Sequence, residues 1–251
     1  MNDHTIQLGE LNCRVIDALP AETQPRLIVV LCHGYGASGS DLVPFGAELF
    51  KYTPSLAAHV QFVFPEAPLD LSDLGMPEGR AWWHLDLQKL QMAVAFGQLR
   101  DLREDKPEGL ELSRQRLSSM ISEWSRQTAV PIDRFVLGGF SQGAMLATDV
   151  TLNCDGNPAG LIVLSGTLLN ESEWRQRVSH RRGLTVLQSH GTEDPILPHS
   201  TAEALRDMLT DAGSRVEFIS FRGGHTIPID VFRRIASTLE RLCIGPQSVD
   251  P

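Results

Sequence analysis

Gly139-Phe140-Ser141-Gln142-Gly143 decides how this chain is read. The five residues fit the pattern G-x-S-x-G. Asp133-Arg134-Phe135-Val136-Leu137-Gly138 before them reads as a short buried strand, and Ala144-Met145-Leu146-Ala147-Thr148 after them as the first turns of a helix. In that setting the motif has a mechanical meaning. A sharp strand-to-helix turn pushes its central serine into a strained, exposed position at the end of a sheet. Side chains at the flanking positions would collide with the neighbouring strand or helix, which is why both are glycine. The bare pattern recurs by chance, and a turn serine is usually only a turn serine. The strand–turn–helix context is what makes Ser141 a candidate nucleophile.

A serine hydroxyl attacks only when a base takes its proton. The base is expected to be a histidine held by a carboxylate, in the chain order Ser, acid, His. Of eight histidines, His4, His33, His59 and His84 precede Ser141. His180 and His190 come too early to follow an acid on a later strand, and His199 shares the acid's own loop. His225 remains, in Phe221-Arg222-Gly223-Gly224-His225-Thr226, directly after the strand candidate Val216–Ser220. The plain alternative is a surface-loop histidine. The acid belongs on the loop after Leu184-Thr185-Val186-Leu187-Gln188, where Glu193 and Asp194 are neighbours. Asp194 is preferred because Pro195 fixes the backbone just after it. Glu193 stays open as the alternative. The oxyanion of a tetrahedral intermediate needs donors. The backbone N–H of Gln142 is one, and the loop His33-Gly34-Tyr35-Gly36 after the strand Leu27–Cys32 offers the N–H of Tyr35.

The same loop carries a second pattern. Gly34-Tyr35-Gly36-Ala37-Ser38-Gly39 fits G-x-G-x-x-G after a strand, and a further strand, Val60–Phe64, ends near Glu66. That approaches a dinucleotide-binding fingerprint. Glu66 lies 27 residues past the last glycine, somewhat far, and the reading leaves Ser141, Asp194 and His225 unexplained.

Taken together, the chain resembles the phospholipase/carboxylesterase family of α/β-hydrolases, which includes the acyl-protein thioesterases. The matching stretches are Leu31-Cys32-His33-Gly34-Tyr35-Gly36, Pro65-Glu66-Ala67-Pro68, Ala81-Trp82-Trp83, Gly138 to Ala144, His190 to Pro198, and Gly224-His225-Thr226-Ile227. They run in order along nearly the whole chain, and Phe140 and Gln142 inside the elbow sharpen the match. The resemblance implies an α/β-hydrolase fold and hydrolysis of carboxylic esters or thioesters. It also implies Ser141, Asp194 and His225 as triad and Tyr35 and Gln142 as oxyanion donors, with no cofactor. The chain departs from the pattern at 87–108, which is longer than in the compact thioesterases.

Composition agrees. A chain of 251 residues, 42% hydrophobic and 21% charged, suits one α/β domain over 1–251. A net charge of −9 argues against nucleic acid and against charge-driven binding to anionic membrane. No apolar run approaches the length of a membrane span, and no secretory leader is evident. Four cysteines, at 13, 32, 154 and 243, show no paired spacing, so the expectation is a cytoplasmic protein with reduced thiols and no metal site. The partner expected is a small-molecule ester or acyl substrate.

Strands near 27–32, 60–64, 134–138, 160–165, 184–189 and 215–220 alternate with helices, which predicts a mainly parallel sheet covered on both faces. Leu117, Met120, Ile121 and Trp124 mark one helix by their spacing. Leu205, Met208, Leu209 and Ala212 mark another, with Ser200 and Glu203 as a capping box and Gly213 as its stop. The segment 69–112 is long for a connection. Within it, Leu71, Leu74, Met76, Trp82 and Trp83, joined by Ile196 and Leu197 beside the acid, are expected to wall a hydrophobic acyl site near Ser141. The plain alternative is that the tryptophans pack in the core. Leu87–Phe96 reads as a small lid or as a helix packed on the sheet.

Overall fold

The computed structural model describes residues 1–85 and 101–244. In chain order its elements begin with strands β1 (Asn2–Leu8), β2 (Leu11–Asp17) and β3 (Leu27–Cys32). Helices α1 (Val43–Tyr52) and α2 (Pro54–Ala57) follow, then β4 (Val60–Pro65) and the short strands β5 (Leu69–Asp70) and β6 (Arg80–Ala81). Next come α3 (Leu110–Thr128), β7 (Phe135–Phe140), α4 (Gln142–Asn153), β8 (Gly160–Leu164) and α5 (Glu171–Arg177). The described chain closes with β9 (Thr185–Gly191), α6 (His199–Asp211), β10 (Arg215–Phe221) and α7 (Ile229–Ile244). The segment read as a lid, Leu87–Phe96, lies outside the described residues.

Eight strands form one sheet in the order β1-β2-β4-β3-β7-β8-β9-β10. Only the opening hairpin is antiparallel: β1 pairs with β2, and β2 with β4. From β4 to β10 every pairing is parallel. The reason is visible in β3, whose six residues are all buried. Ile28, Val30 and Cys32 pack on one face with Trp124 of α3, Ala147 of α4 and Leu205 of α6. Leu27, Val29 and Leu31 pack on the other with Phe50 of α1 and Ile235 of α7. A strand covered on both faces reads as a continuous apolar run rather than an alternating one. Each fully buried aliphatic side chain contributes about 1.5–3 kcal/mol.

Helix α4 is buried along its length from Gln142 to Leu152. That explains why its apolar residues show no one-sided spacing: a helix with no solvent face has no stripe. Elsewhere the local reading needs correction. Helix α6 begins at His199 with Pro198 as N-cap and no side-chain cap bond. Ser200 is therefore inside the first turn, and the expected capping box with Glu203 is not formed. Gly213 does end this helix, at φ +89°.

Candidate active site

Four loops leave the carboxyl ends of parallel strands β3, β7, β9 and β10, the edge where open α/β sheets place their ligand sites. The loop after β7 is a single residue. Ser141 stands between the strand and α4 at φ 54°, ψ −119°. A non-glycine residue in such a conformation stores about 1–3 kcal/mol and persists only where its surroundings fix it. Here the Ser141 N–H donates to the Leu164 carbonyl of β8 at 2.9 Å, and its carbonyl accepts from Ala144 and Met145 at 3.0 and 3.1 Å. The flanking glycines permit the crowding. A Cβ on Gly143 would stand 2.1 Å from the Cys32 carbonyl oxygen, and one on Gly139 2.5 Å from the same atom.

Because β9 and β10 are parallel neighbours, their loops emerge side by side and are laced together. Thr192 N–H donates to Phe221 O at 2.8 Å, and Glu193 N–H to Gly223 O at 2.9 Å. This approach requires Gly191, where a Cβ would meet the Gly223 carbonyl oxygen at 2.3 Å. The lacing brings Asp194 to His225. Asp194 Oδ1 accepts from the Ile196 and Leu197 amides at 2.8 and 3.0 Å. Its Oδ2 accepts from His225 Nδ1 at 2.7 Å. The His225 ring packs on Phe140, centroid to centroid 4.8 Å, next to the serine turn. Burial alone would push the Asp194 carboxyl up, but hydrogen bonds from His190, His225 and the Leu197 amide outweigh it and hold the group well below the usual carboxylate range. Glu193 instead pairs with Arg222 at 3.0 Å on the exposed surface. The structure therefore brings Asp194, not Glu193, to the histidine.

The loop after β3 is fastened from several sides. Buried His33 donates from Nδ1 to the Gly34 carbonyl at 2.8 Å, and its Nε2 accepts from the Ala67 amide at 3.1 Å. Burial pushes its pKa down, which suits a neutral ring with one donor and one acceptor. The Gly36 amide donates to Arg80 O at 2.9 Å, Ala37 to Gly34 O at 3.3 Å, and Arg80 to Ala37 O at 3.0 Å. Tyr35 sits in this turn, between two glycines and beside two amides already committed. Gln142 is the first residue of α4, where backbone N–H groups lack intrahelical acceptors. Its side chain grips the chain opposite: Oε1 accepts from Trp82 N–H and Nε2 donates to Trp83 O, each at 2.9 Å.

That grip corrects the expected acyl wall. Trp82 and Trp83 are each 1% exposed and belong to the core. The Trp82 indole N–H donates to His33 O at 3.0 Å, and Ser113 Oγ donates to Trp82 O at 2.5 Å. A buried indole N–H needs an acceptor, and the backbone before the Tyr35 turn supplies it. The two tryptophans brace the site from behind. Leu71 and Leu197 are also buried, at 0% and 4% exposure, whereas Leu74 is 53% exposed on a turn of 3-10 helix. Of the remaining expected residues, Met76 places its sulfur over Gly36 and Ile196 is half-buried beside Asp194. The dinucleotide pattern is corrected as well. Helix α1 starts at Val43, four residues beyond Gly39, so the glycines do not open a helix onto a phosphate. Glu66 is occupied by Arg80 at 3.5 Å.

Sequence reasoning set aside His33 and His190 by position in the chain and gave the Gln142 side chain no role. One signal was available. His33-Gly34 and His190-Gly191 are the two places where a histidine meets a glycine at the carboxyl end of a buried strand.

The comparisons fit this architecture. The family described as Phospholipase/Carboxylesterase matches residues 13–243. The chain is 32% identical to acyl-protein thioesterase 1 of Eremothecium gossypii over 196 residues, covering 76% of this chain and 77% of that protein. It is 28% identical to acyl-protein thioesterase 1 of Gibberella zeae, covering 82% and 86%. Among solved structures, esterase PE8 superposes with a TM-score of 0.73 at 26% identity, covering 90% of this chain and 96% of that one. With its mostly parallel sheet, its strained serine at the carboxyl edge and this match along its length, the chain belongs to the phospholipase/carboxylesterase family of α/β-hydrolases.

Proposed function

We propose that this protein is a serine hydrolase that cleaves carboxylic esters and thioesters through an acyl-enzyme on Ser141. The observation that carries the reading is the pairing of His225 Nδ1 with Asp194 Oδ2 at 2.7 Å on a loop packed against the strained Ser141 turn. With Nδ1 committed as donor, Nε2 is the basic nitrogen of the neutral ring. His225 takes the Ser141 proton as Oγ attacks the acyl carbon, then gives it to the departing alkoxide or thiolate. Asp194 remains ionised, fixes the tautomer and stabilises the imidazolium. The Tyr35 and Gln142 amides receive the oxyanion, each worth roughly 3 kcal/mol in the transition state. Water then repeats the sequence on the acyl-enzyme, with His225 again as base, and releases the acid.

The two relatives named for protein deacylation support including thioesters among the substrates. Met76 and Ile196 are the side chains assigned to the acyl group, since they flank the Tyr35 turn and the acid. The whole chain forms one α/β-hydrolase domain. Among the described residues no helix is long and apolar enough to cross a membrane. Four free cysteines suit a reducing, cytoplasmic setting.

The test is a fluorophosphonate probe together with p-nitrophenyl butyrate and a butyryl thioester. The wild-type chain should be labelled and should turn over both substrates, and Ser141→Ala should do neither. A folded Ser141→Ala protein with unchanged turnover would overturn the assignment.

A further inference from the structure

His190 has no part in the chemistry proposed above, yet it touches the acid. It is fully buried near the end of β9. Its Nε2 lies 3.0 Å from the Leu197 carbonyl oxygen and 3.3 Å from Asp194 Oδ2. Both oxygens only accept, so Nε2 carries the hydrogen and shares it between them. Nδ1 has no hydrogen-bond partner among the described residues. A hydrogen there would be buried without an acceptor, so the surroundings select the Nε2–H tautomer. Asp194 Oδ2 thus faces two imidazole N–H groups, from His225 at 2.7 Å and from His190 at 3.3 Å.

We infer that His190 is a positioning residue: its Nε2–H holds Asp194 Oδ2 and draws off part of the charge that His225 sees, and so sets how basic His225 is. The inference rests on the reading of Ser141, Asp194 and His225 as the triad. The two atoms of the carboxylate are served differently. Oδ1 is fixed by amides of its own loop, and those bonds orient the group. Oδ2 is the atom His225 uses, and a second donor there makes it a weaker partner for an imidazolium. Beyond Asp194, the titratable group seen against His190 among the described residues is on α6. The His199 ring stands edge-on with its centroid 6.0 Å away, and Glu203 lies 3.5 Å behind it. Neither donates to Asp194 Oδ2.

The experiment is a pH profile of kcat/KM on p-nitrophenyl butyrate for the wild type, His190→Gln and His190→Asn. The glutamine amide nitrogen stands where Nε2 does, whereas the asparagine amide stops short of the acid. His190→Asn should lose roughly 10–100-fold in kcat/KM, the usual cost of removing a hydrogen bond that orients a working group. Its acid limb should move up by about half a pH unit or more. His190→Gln should stay within about threefold of the wild type, with the limb in place. A purely structural histidine would lower Tm in both variants and leave the limb where it was, and that result overturns the proposal. So does a 15N spectrum of the wild type showing His190 protonated at Nδ1 and bare at Nε2, which needs no variant to fold. Ser141→Ala run alongside separates the two readings. Turnover surviving there removes the triad and this inference together, whereas an unmoved limb with Ser141→Ala inactive removes this inference alone.

Discussion

Two serine–histidine–carboxylate groupings sit at the same end of this sheet. In the first, His225 pairs with Asp194 next to Ser141. In the second, His199 Nε2 lies 2.8 Å from Ser220 Oγ and His199 Nδ1 lies 3.5 Å from Glu203 Oε2. By residue type and distance the second is the more complete, since its serine and histidine are in hydrogen-bond contact. What separates them is everything else. Ser141 is strained at φ 54° with a helix N-terminus directly behind it, whereas Ser220 is an ordinary exposed position inside β10. Asp194 is buried and holds four donors, whereas Glu203 is 42% exposed and shares itself with Arg206. An exposed pair of this kind contributes about 0–1 kcal/mol and orients little. Side-chain proximity is cheap on a protein surface; backbone donors and a desolvated, fully bonded acid are not.

If that contrast is sound, paired substitutions should give unequal results. The largest effect belongs to the serines. Ser141→Ala should lower kcat on p-nitrophenyl butyrate by on the order of 10⁶-fold, and Ser220→Ala by less than about twofold. Comparable losses would mean that the second grouping turns over substrate. The acids come next. Asp194→Asn should cost on the order of 10⁴-fold with the protein still folded, because the wrong tautomer is then presented to the serine. Glu203→Gln and Glu193→Gln should be near neutral. A larger loss from Glu193→Gln would move the acid to the exposed neighbour that faces Arg222.

The histidines separate the groupings by pH. Asp194 is held well below the usual carboxylate range by His190, His225 and the Leu197 amide against its burial. The sign follows from a depressed folded value. The stability Asp194 contributes is present above its unfolded pKa of about 3.9 and is lost as pH falls through the lower folded one. Asp194 is thus ionised throughout the range in which a histidine titrates, and kcat/KM should rise with pH through one limb only. That limb should vanish in His225→Ala and persist in His199→Ala. A second limb, or one that follows His199, would dissolve the distinction.

The fold was legible because β3, β7 and β8 carry runs with no polar side chain, and β4 and β9 are buried along nearly their whole length; a short buried run of that kind has few other uses. The order of Ser141, Asp194 and His225 was legible for the same reason, since each falls at a strand's carboxyl end. The supports were not. Gln142 reads as a motif letter until the chain at Trp82 and Trp83 is seen opposite it, 60 residues away in sequence. His190 was set aside by position alone, a rule that finds bases and is blind to residues that hold acids. The tryptophans were assigned by chemistry to a substrate wall, and burial placed them behind it. Contacts between distant loops depend on crossover geometry, and no local pattern encodes that.

The smallest effect sharpens the comparison most, because it tests support with no contact to the chemistry. Gln142 has two separable parts. Its backbone N–H is the proposed oxyanion donor, and its side chain clasps the Trp82 N–H and the Trp83 carbonyl at 2.9 Å each. Gln142→Leu keeps the backbone donor and the approximate volume and removes only the clasp. It leaves two buried backbone groups without their partners, at a cost of about 1–3 kcal/mol each in stability. The chain released is the one whose indole N–H holds His33 O, one residue before the Tyr35 turn begins. The expected result is a lower Tm and roughly a tenfold loss in kcat with KM little changed, since an oxyanion donor displaced by a fraction of an ångström weakens the transition state and not the ground state. Among the described residues no such clasp stands behind Ser220, whose register partner on β9 is His190. If Gln142→Leu lowers Tm while kcat stays at the wild-type value, the clasp serves the fold alone, and the geometry of the Tyr35 turn is set by His33 and Arg80 without it.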